Sequence, residues 1–136
     1  MLYFAYGSNL NTIKLKRICP SSVPIVKVKL KDYKLVFYNK VADIVKSRER
    51  IVYGAIYDIS EEDIKKLDKY EGYPRLYDKI YVNVQDDEDK PYLAFVYVMF
   101  IKGRGELDES YYNIINQGFN DWKLPIQSLI NARKQI

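Results

Sequence analysis

The sequence predicts an α+β domain in which a small mixed β-barrel is flanked by helices. Strand-like segments outnumber helical ones, and successive strands at 25–38, 51–59 and 77–101 are joined tightly or through a single helix. A mixed sheet that curls on itself, with the helices packed outside, buries such elements best. The 136 residues have the length of a single domain, 1–136, able to bury about two thirds of its unfolded surface around one core.

Taken in order, residues 2–6 form a short apolar strand and residues 11–18 a helix, with Gly7, Ser8 and Asn9 at the junction. Between 25 and 31, Val26, Val28 and Leu30 alternate with Lys27, Lys29 and Lys31, the pattern of a half-buried strand with one solvated face. A strand at 33–38, a polar loop and a strand at 51–59 follow. Ser60 ahead of Glu61, Glu62 and Asp63 starts a helix over 61–70, with Asp63 in a capping-box-like position and the acids favoured by the helix dipole. Gly72 stops that helix. Strands at 77–84 and 91–101 flank Asp86, Asp87, Glu88 and Asp89, which read as a hairpin turn too exposed to cage a metal. Helices at 109–118 and 126–134 complete the chain, the last with Pro125 in its first turn.

Composition narrows the function. The net charge of +4 is mild, and the lysines at 27, 29, 31 and 34 come without an RNA-binding motif, so no nucleic-acid partner is expected. No segment approaches the roughly 20 apolar residues of a membrane span, so no membrane partner is expected either. Met1 to Tyr6 reads as a core strand rather than a signal peptide, which points to a cytoplasmic protein. The lone Cys19 excludes an internal disulfide and reads as a packing residue. Nothing in the sequence sets the oligomeric state.

The chain has no histidine, which removes the usual bases, dyads and metal ligands and leaves chemistry to carboxylates and backbone. In Tyr6, Gly7, Ser8, Asn9 and Leu10, a strand end meets a helix start, so several N–H groups point into one concavity. That is an anion or oxyanion seat. The seat needs a carboxylate partner, and Glu71 is the candidate. In the last turn of its helix it meets the negative end of the dipole, which costs a few tenths of a kcal/mol up to about 1 kcal/mol and disfavours ionisation. Desolvation by Leu67, Tyr70, Tyr73 and Tyr77 would raise its pKa further, towards a general base. Each feature alone has a plainer reading. Gly, Ser and Asn are ordinary turn and cap residues, a glutamate before glycine is an ordinary surface acid, and any one of 14 tyrosines is more often core than catalytic.

Together, the run Tyr6-Gly7-Ser8-Asn9-Leu10 and the set Leu67, Asp68, Glu71, Gly72 and Tyr77 resemble the γ-glutamylcyclotransferase-like family. The resemblance covers nearly the whole chain. Asn11, Leu15, Arg17, Cys19 and Pro20 resemble its first helix and exit. Asp32, Tyr33, Leu35 and Phe37 resemble one of its strands, and Val52, Tyr53, Gly54 and Tyr57 its "VxGxxY" strand. Tyr111, Ile115, Gly118, Leu124 and Pro125 resemble its "YxxxIxxG…GLPxxY" tail, with Lys123 in place of Gly and Ser128 in place of Tyr.

The resemblance implies a cyclotransferase fold and a transferase or lyase reaction on a small γ-glutamyl amide: a γ-glutamyl amino acid, peptide or amine. The substrate's α-amine attacks its own γ-carbonyl, releasing 5-oxoproline and a free amine without cofactor or metal. Carried onto this chain, Glu71 is the general acid/base. Tyr6, Gly7, Ser8, Asn9, Leu10 and Tyr77 bind substrate. Two alternatives stand beside it: an amidase in which Glu71 activates water, and a non-catalytic barrel that holds a γ-glutamyl-like ligand.

Overall fold

The computed structural model describes residues 1–100 and 102–136. Five strands, β1 (Leu2–Ala5), β2 (Val23–Tyr38), β3 (Val41–Asp58), β4 (Tyr77–Gln85) and β5 (Pro91–Met99), close into a barrel in the order β1-β3-β2-β4-β5. Neighbours are antiparallel except β1 and β5, which run parallel through Tyr3 and Phe95 and make the sheet mixed. Outside it lie α1 (Thr12–Ile18), α2 (Glu61–Glu71), α3 (Glu109–Trp122) and α4 (Ile126–Lys134). The predicted fold class is the observed one. No helix among the described residues is long and apolar enough to cross a membrane.

Alternation decides which way each strand faces. Val28 and Leu30 are buried while Lys27, Lys29 and Lys31 are not, so the lysine face is the solvated one. Phe4 and Ala5 of β1 are fully buried against β3, where Gly54 permits the approach: a Cβ there would stand 2.2 Å from the Ala5 carbonyl oxygen.

The structure departs from the predicted elements in several places. The two strands predicted at 25–31 and 33–38 are one, β2, interrupted by a register shift at Asp32, whose φ is 65°. The polar loop predicted after residue 38 is instead the first half of β3. Residues 33–38 pair with 41–46 as a ribbon, turned by Asn39 and Lys40 at φ 51° and 73°. Ala42 and Ile44 face the core, while Arg48, Glu49 and Arg50 face solvent and supply the polarity that reads as a loop. Finally, α3 runs four residues beyond its predicted end to Trp122, whose indole N–H lies 3.2 Å from both the Leu10 carbonyl oxygen and the Tyr57 hydroxyl oxygen. Lys123 then ends α3 at φ 53°, the left-handed cap that glycine takes most easily. The predicted strand 91–101 ends at Met99, and Ile101 lies outside the described residues.

The helix bearing Glu71 is well anchored. Ser60 caps it by accepting the Asp63 N–H at 3.2 Å. The Asp63 carboxylate accepts from the Ser21 N–H at 2.9 Å and the Ser21 hydroxyl at 2.5 Å, tying α2 to the chain leaving α1. At the other end Gly72 takes φ 78° and its N–H bonds back to Asp68 and Lys69.

Candidate active site

One end of the barrel opens into a cavity of about 600 Å³, bounded by the loop after β1, the end of α2, the start of β4, the end of β5 and the start of α3. Tyr6, Gly7, Ser8, Asn9, Glu71 and Tyr77 all line it. Leu10 does not: it is fully buried, its N–H bonds to the Gly7 carbonyl at 3.0 Å, and its side chain packs against α3. The approach is close because Gly118 of α3 leaves room, and a Cβ there would stand 2.6 Å from Leu10 Cβ.

The loop is a single 3₁₀ turn, Ser8–Leu10, running into α1. Its first N–H groups, those of Ser8 and Asn9, have no partner within the turn. Gly7 lies against the cavity wall, where a Cβ would be 3.1 Å from Ala42 Cβ and 3.5 Å from the Tyr111 hydroxyl oxygen. That hydroxyl accepts the Ala42 N–H at 3.1 Å and sits beside Ser8.

Glu71 is the last residue of α2, and its carboxylate accepts from Asn9 Nδ2 at 3.0 Å. Burial pushes its pKa above the ordinary glutamate value; the Lys14 charge and the Asn9 hydrogen bond oppose that rise without cancelling it. Among the described residues the carboxylate is thus the one acid lining the cavity, in an environment suited to taking up a proton.

The tyrosines divide by what their hydroxyls do. Tyr6 donates to the Tyr97 carbonyl at 2.8 Å, so its proton is committed to the barrel wall. Tyr77 makes no such bond among the described residues, and burial followed by the Glu71 charge raises its pKa far above the ordinary phenol value. Its hydroxyl is an available donor. Tyr97 donates to Asp68 at 2.5 Å, and Lys79 approaches the same oxygen at 2.8 Å while lying over the Tyr73 ring. Asp68, one turn before Glu71, therefore braces β5 and β4 against α2.

Several cavity residues escaped the sequence reading. Tyr3 accepts from Asn9 Nδ2 at 2.9 Å, and Tyr97, Arg75 and Phe100 complete the wall and rim. Period-2 alternation on β1 and β5 could have placed Tyr3 and Tyr97 on one barrel face; Arg75 carries no local signal. Neither Lys123 nor Ser128, the two departures from the family tail, lines the cavity. Cys19 is buried away from it, with a thiol pushed up to about 11 by burial.

Fold and site together define a small barrel protein that presents a desolvated carboxylate to a compound fitting a cavity of about 600 Å³. The chain belongs to the gamma-glutamyl cyclotransferase, AIG2-like family, whose model matches residues 3–122. It is 30% identical to human gamma-glutamylcyclotransferase, over 93% of this chain and 73% of the human protein. The mouse gamma-glutamylcyclotransferase is likewise 30% identical, over 91% of this chain and 72% of its own length. A solved gamma-glutamyl cyclotransferase structure superposes with a TM-score of 0.91 at 28% identity, covering 98% of this chain and 86% of that one.

Proposed function

We propose that this protein cleaves γ-glutamyl amides by internal cyclisation, with Glu71 as general acid/base. The observation that carries the reading is the one carboxylate that lines the cavity among the described residues, its pKa raised by burial and its oxygen joined to the Gly7–Asn9 turn by the Asn9 hydrogen bond, in a cavity large enough for a γ-glutamyl dipeptide. An α-amine is mostly protonated at neutral pH, so a base must take a proton before the amine can attack. Glu71 accepts it. The amine nitrogen then bonds to the γ-carbonyl carbon, the amide C–N bond breaks, and Glu71 returns the proton to the departing nitrogen, while the second proton shed by the ring nitrogen leaves with the products and is taken up by the freed amine. Nucleophile and electrophile belong to one molecule, so the site need only fold the substrate until they stand about 3–3.5 Å apart. No water enters the balance.

The Ser8 and Asn9 amides hold the oxygens of the γ-glutamyl unit, and Tyr77 walls it and donates its hydroxyl. The leaving amine then points to the rim, where Arg75 and the exposed Leu76 and Phe100 stand. Arg75 is the sole cation lining the cavity and enters no ion pair among the described residues. It suits a leaving group with a carboxylate, which favours γ-glutamyl amino acids or peptides over simple amines.

The deciding experiment incubates the protein with a panel of γ-glutamyl dipeptides and follows 5-oxoproline by mass, with an Nα-acetylated copy of each substrate. Expected is 5-oxoproline from the free amines and none from the acetylated ones. Glutamate carrying oxygen from labelled water would mark an amidase, and binding without turnover a ligand-holding barrel.

A further inference from the structure

Lys14 lies on α1, outside the cavity lining, yet it is tied to the loop that forms the wall. Its ammonium donates to Ser8 Oγ at 2.5 Å and to Asn9 Oδ1 at 2.9 Å, and sits 4.7 Å from the centroid of the Tyr70 ring. We propose that Lys14 is a positioning residue, which holds the Asn9 amide in the one orientation that presents its NH₂ group to Glu71.

An ammonium can only donate, so the amide oxygen of Asn9 must face it. The two amide N–H groups are then left for the acceptors on the far side, Tyr3 Oη at 2.9 Å and Glu71 Oε1 at 3.0 Å. A flipped amide would set oxygen against carboxylate and NH₂ against ammonium, two repulsions in place of two charge-assisted hydrogen bonds. Asn9 is 3% exposed, so water cannot compensate for a flip. Ser8, Asn9 and the Tyr70 ring fix the ammonium itself.

Lys14 also acts on Glu71 by its charge, and the surroundings leave it little competition. Tyr3 and Tyr6 from the first strand and its loop, Tyr77 from β4, Tyr97 from β5 and Tyr111 from α3 all face the carboxylate as neutral phenols, each pushed up by burial. Asp43 of β3 is paired with Lys102, and Asp68 of α2 with Lys79. Arg75 stands at the exposed rim. Lys14 is the cation that opposes the burial of Glu71.

The kinetic part of the test rests on Glu71 being the base; the spectroscopic part does not. Carboxyl ¹³C NMR titration, with the Glu71 signal assigned by its loss in Glu71→Gln, is run beside the pH profile of kcat/KM for wild type, Lys14→Met and Lys14→Arg. In Lys14→Met the Glu71 midpoint and the acid limb should both move up by about one unit, the scale of losing one nearby opposite charge. Activity well below the limb should then fall about tenfold. Lys14→Arg, which keeps charge and donors, should restore both. Lys14→Gln supplies the same comparison if the methionine variant does not fold. A midpoint that stays in place overturns the proposal, as does a pure rise in KM with an unmoved midpoint. A midpoint that moves while the limb does not supports the role of Lys14 and removes Glu71 as the base.

Discussion

Asn9 and Glu71, 62 residues apart in sequence, meet in a hydrogen bond of 3.0 Å that joins the loop after the first strand to the end of α2. The donor belongs to the turn that opens the chain's first helix, and the acceptor sits where the second helix ends. Both halves of the site are therefore held by helix termini, where backbone direction is fixed and a side chain can still reach inward.

Replacing Glu71 by Gln keeps its volume and removes the proton acceptor. The variant should fold and bind 5-oxoproline nearly as wild type does, while kcat falls about 10² to 10⁴-fold, the span of general acid–base catalysis. Steady-state kinetics beside calorimetric binding separates the two effects. In the wild type, kcat/KM should fall as pH drops through the raised Glu71 pKa, because the protonated acid cannot accept a proton.

Gly7→Val places branched carbon where even a bare Cβ would stand 3.1 Å from Ala42. Binding of a γ-glutamyl dipeptide should be lost, whereas Ser8→Ala, which leaves the backbone amides in place, should weaken it less. Equal and negligible effects in calorimetry would reduce the loop to a plain turn.

Arg75→Gln removes the rim cation. KM for a γ-glutamyl amino acid should rise about three- to tenfold, as expected for an exposed charge contact, while a γ-glutamyl amine without a carboxylate should be unaffected. Identical changes for both substrates would show that Arg75 does not read the leaving group.

Asp63 gives a prediction for stability. The hydroxyl and N–H of Ser21 hold its carboxyl below the ordinary aspartate range, with a further contribution from Lys66. A depressed folded pKa stabilises the protein fully above the unfolded value near 3.9, and that stabilisation is lost as pH falls through the folded one. Urea midpoints measured from pH 7 to below pH 3 should therefore decline more steeply in wild type than in Asp63→Asn. At pH 7 the variant should be less stable by about 1–3 kcal/mol.

The parts of the molecule with local signatures are legible in the sequence. Alternation on β2, the Ser60 cap, the Gly72 stop and the strand–turn–helix at Tyr6 to Asn9 each follow from neighbours in sequence, and the structure keeps them. Glu71 runs against local preference as a carboxylate at a helix C-terminus, but alone it reads as a surface acid, and only its conjunction with the Tyr6 to Leu10 loop singles it out. What stayed hidden depends on distant contacts. Lys14 looks like any solvated helix lysine until Ser8 and Asn9 fold back onto it. Tyr97 is one tyrosine among 14 until α2 supplies Asp68. The polar half of β3 looks like a loop because the ribbon wears its charges outside, and only pairing with residues 33–38 makes it a strand.

The placement of β1 has a consequence for how the protein is made. Tyr3 lies between Tyr57 and Phe95, so β1 waits for a neighbour 92 residues further along the chain. Until β5 arrives, β1 has an open edge, and the turn carrying Gly7 and Ser8 lacks the α3 surface that supports it. A nascent chain halted within β4 carries Asn9 and Glu71 but lacks the β5 and α3 residues that complete the pocket around them. Long-range closure of this kind slows folding, so β1 gains its full set of neighbours only after residues far along the chain have joined the barrel.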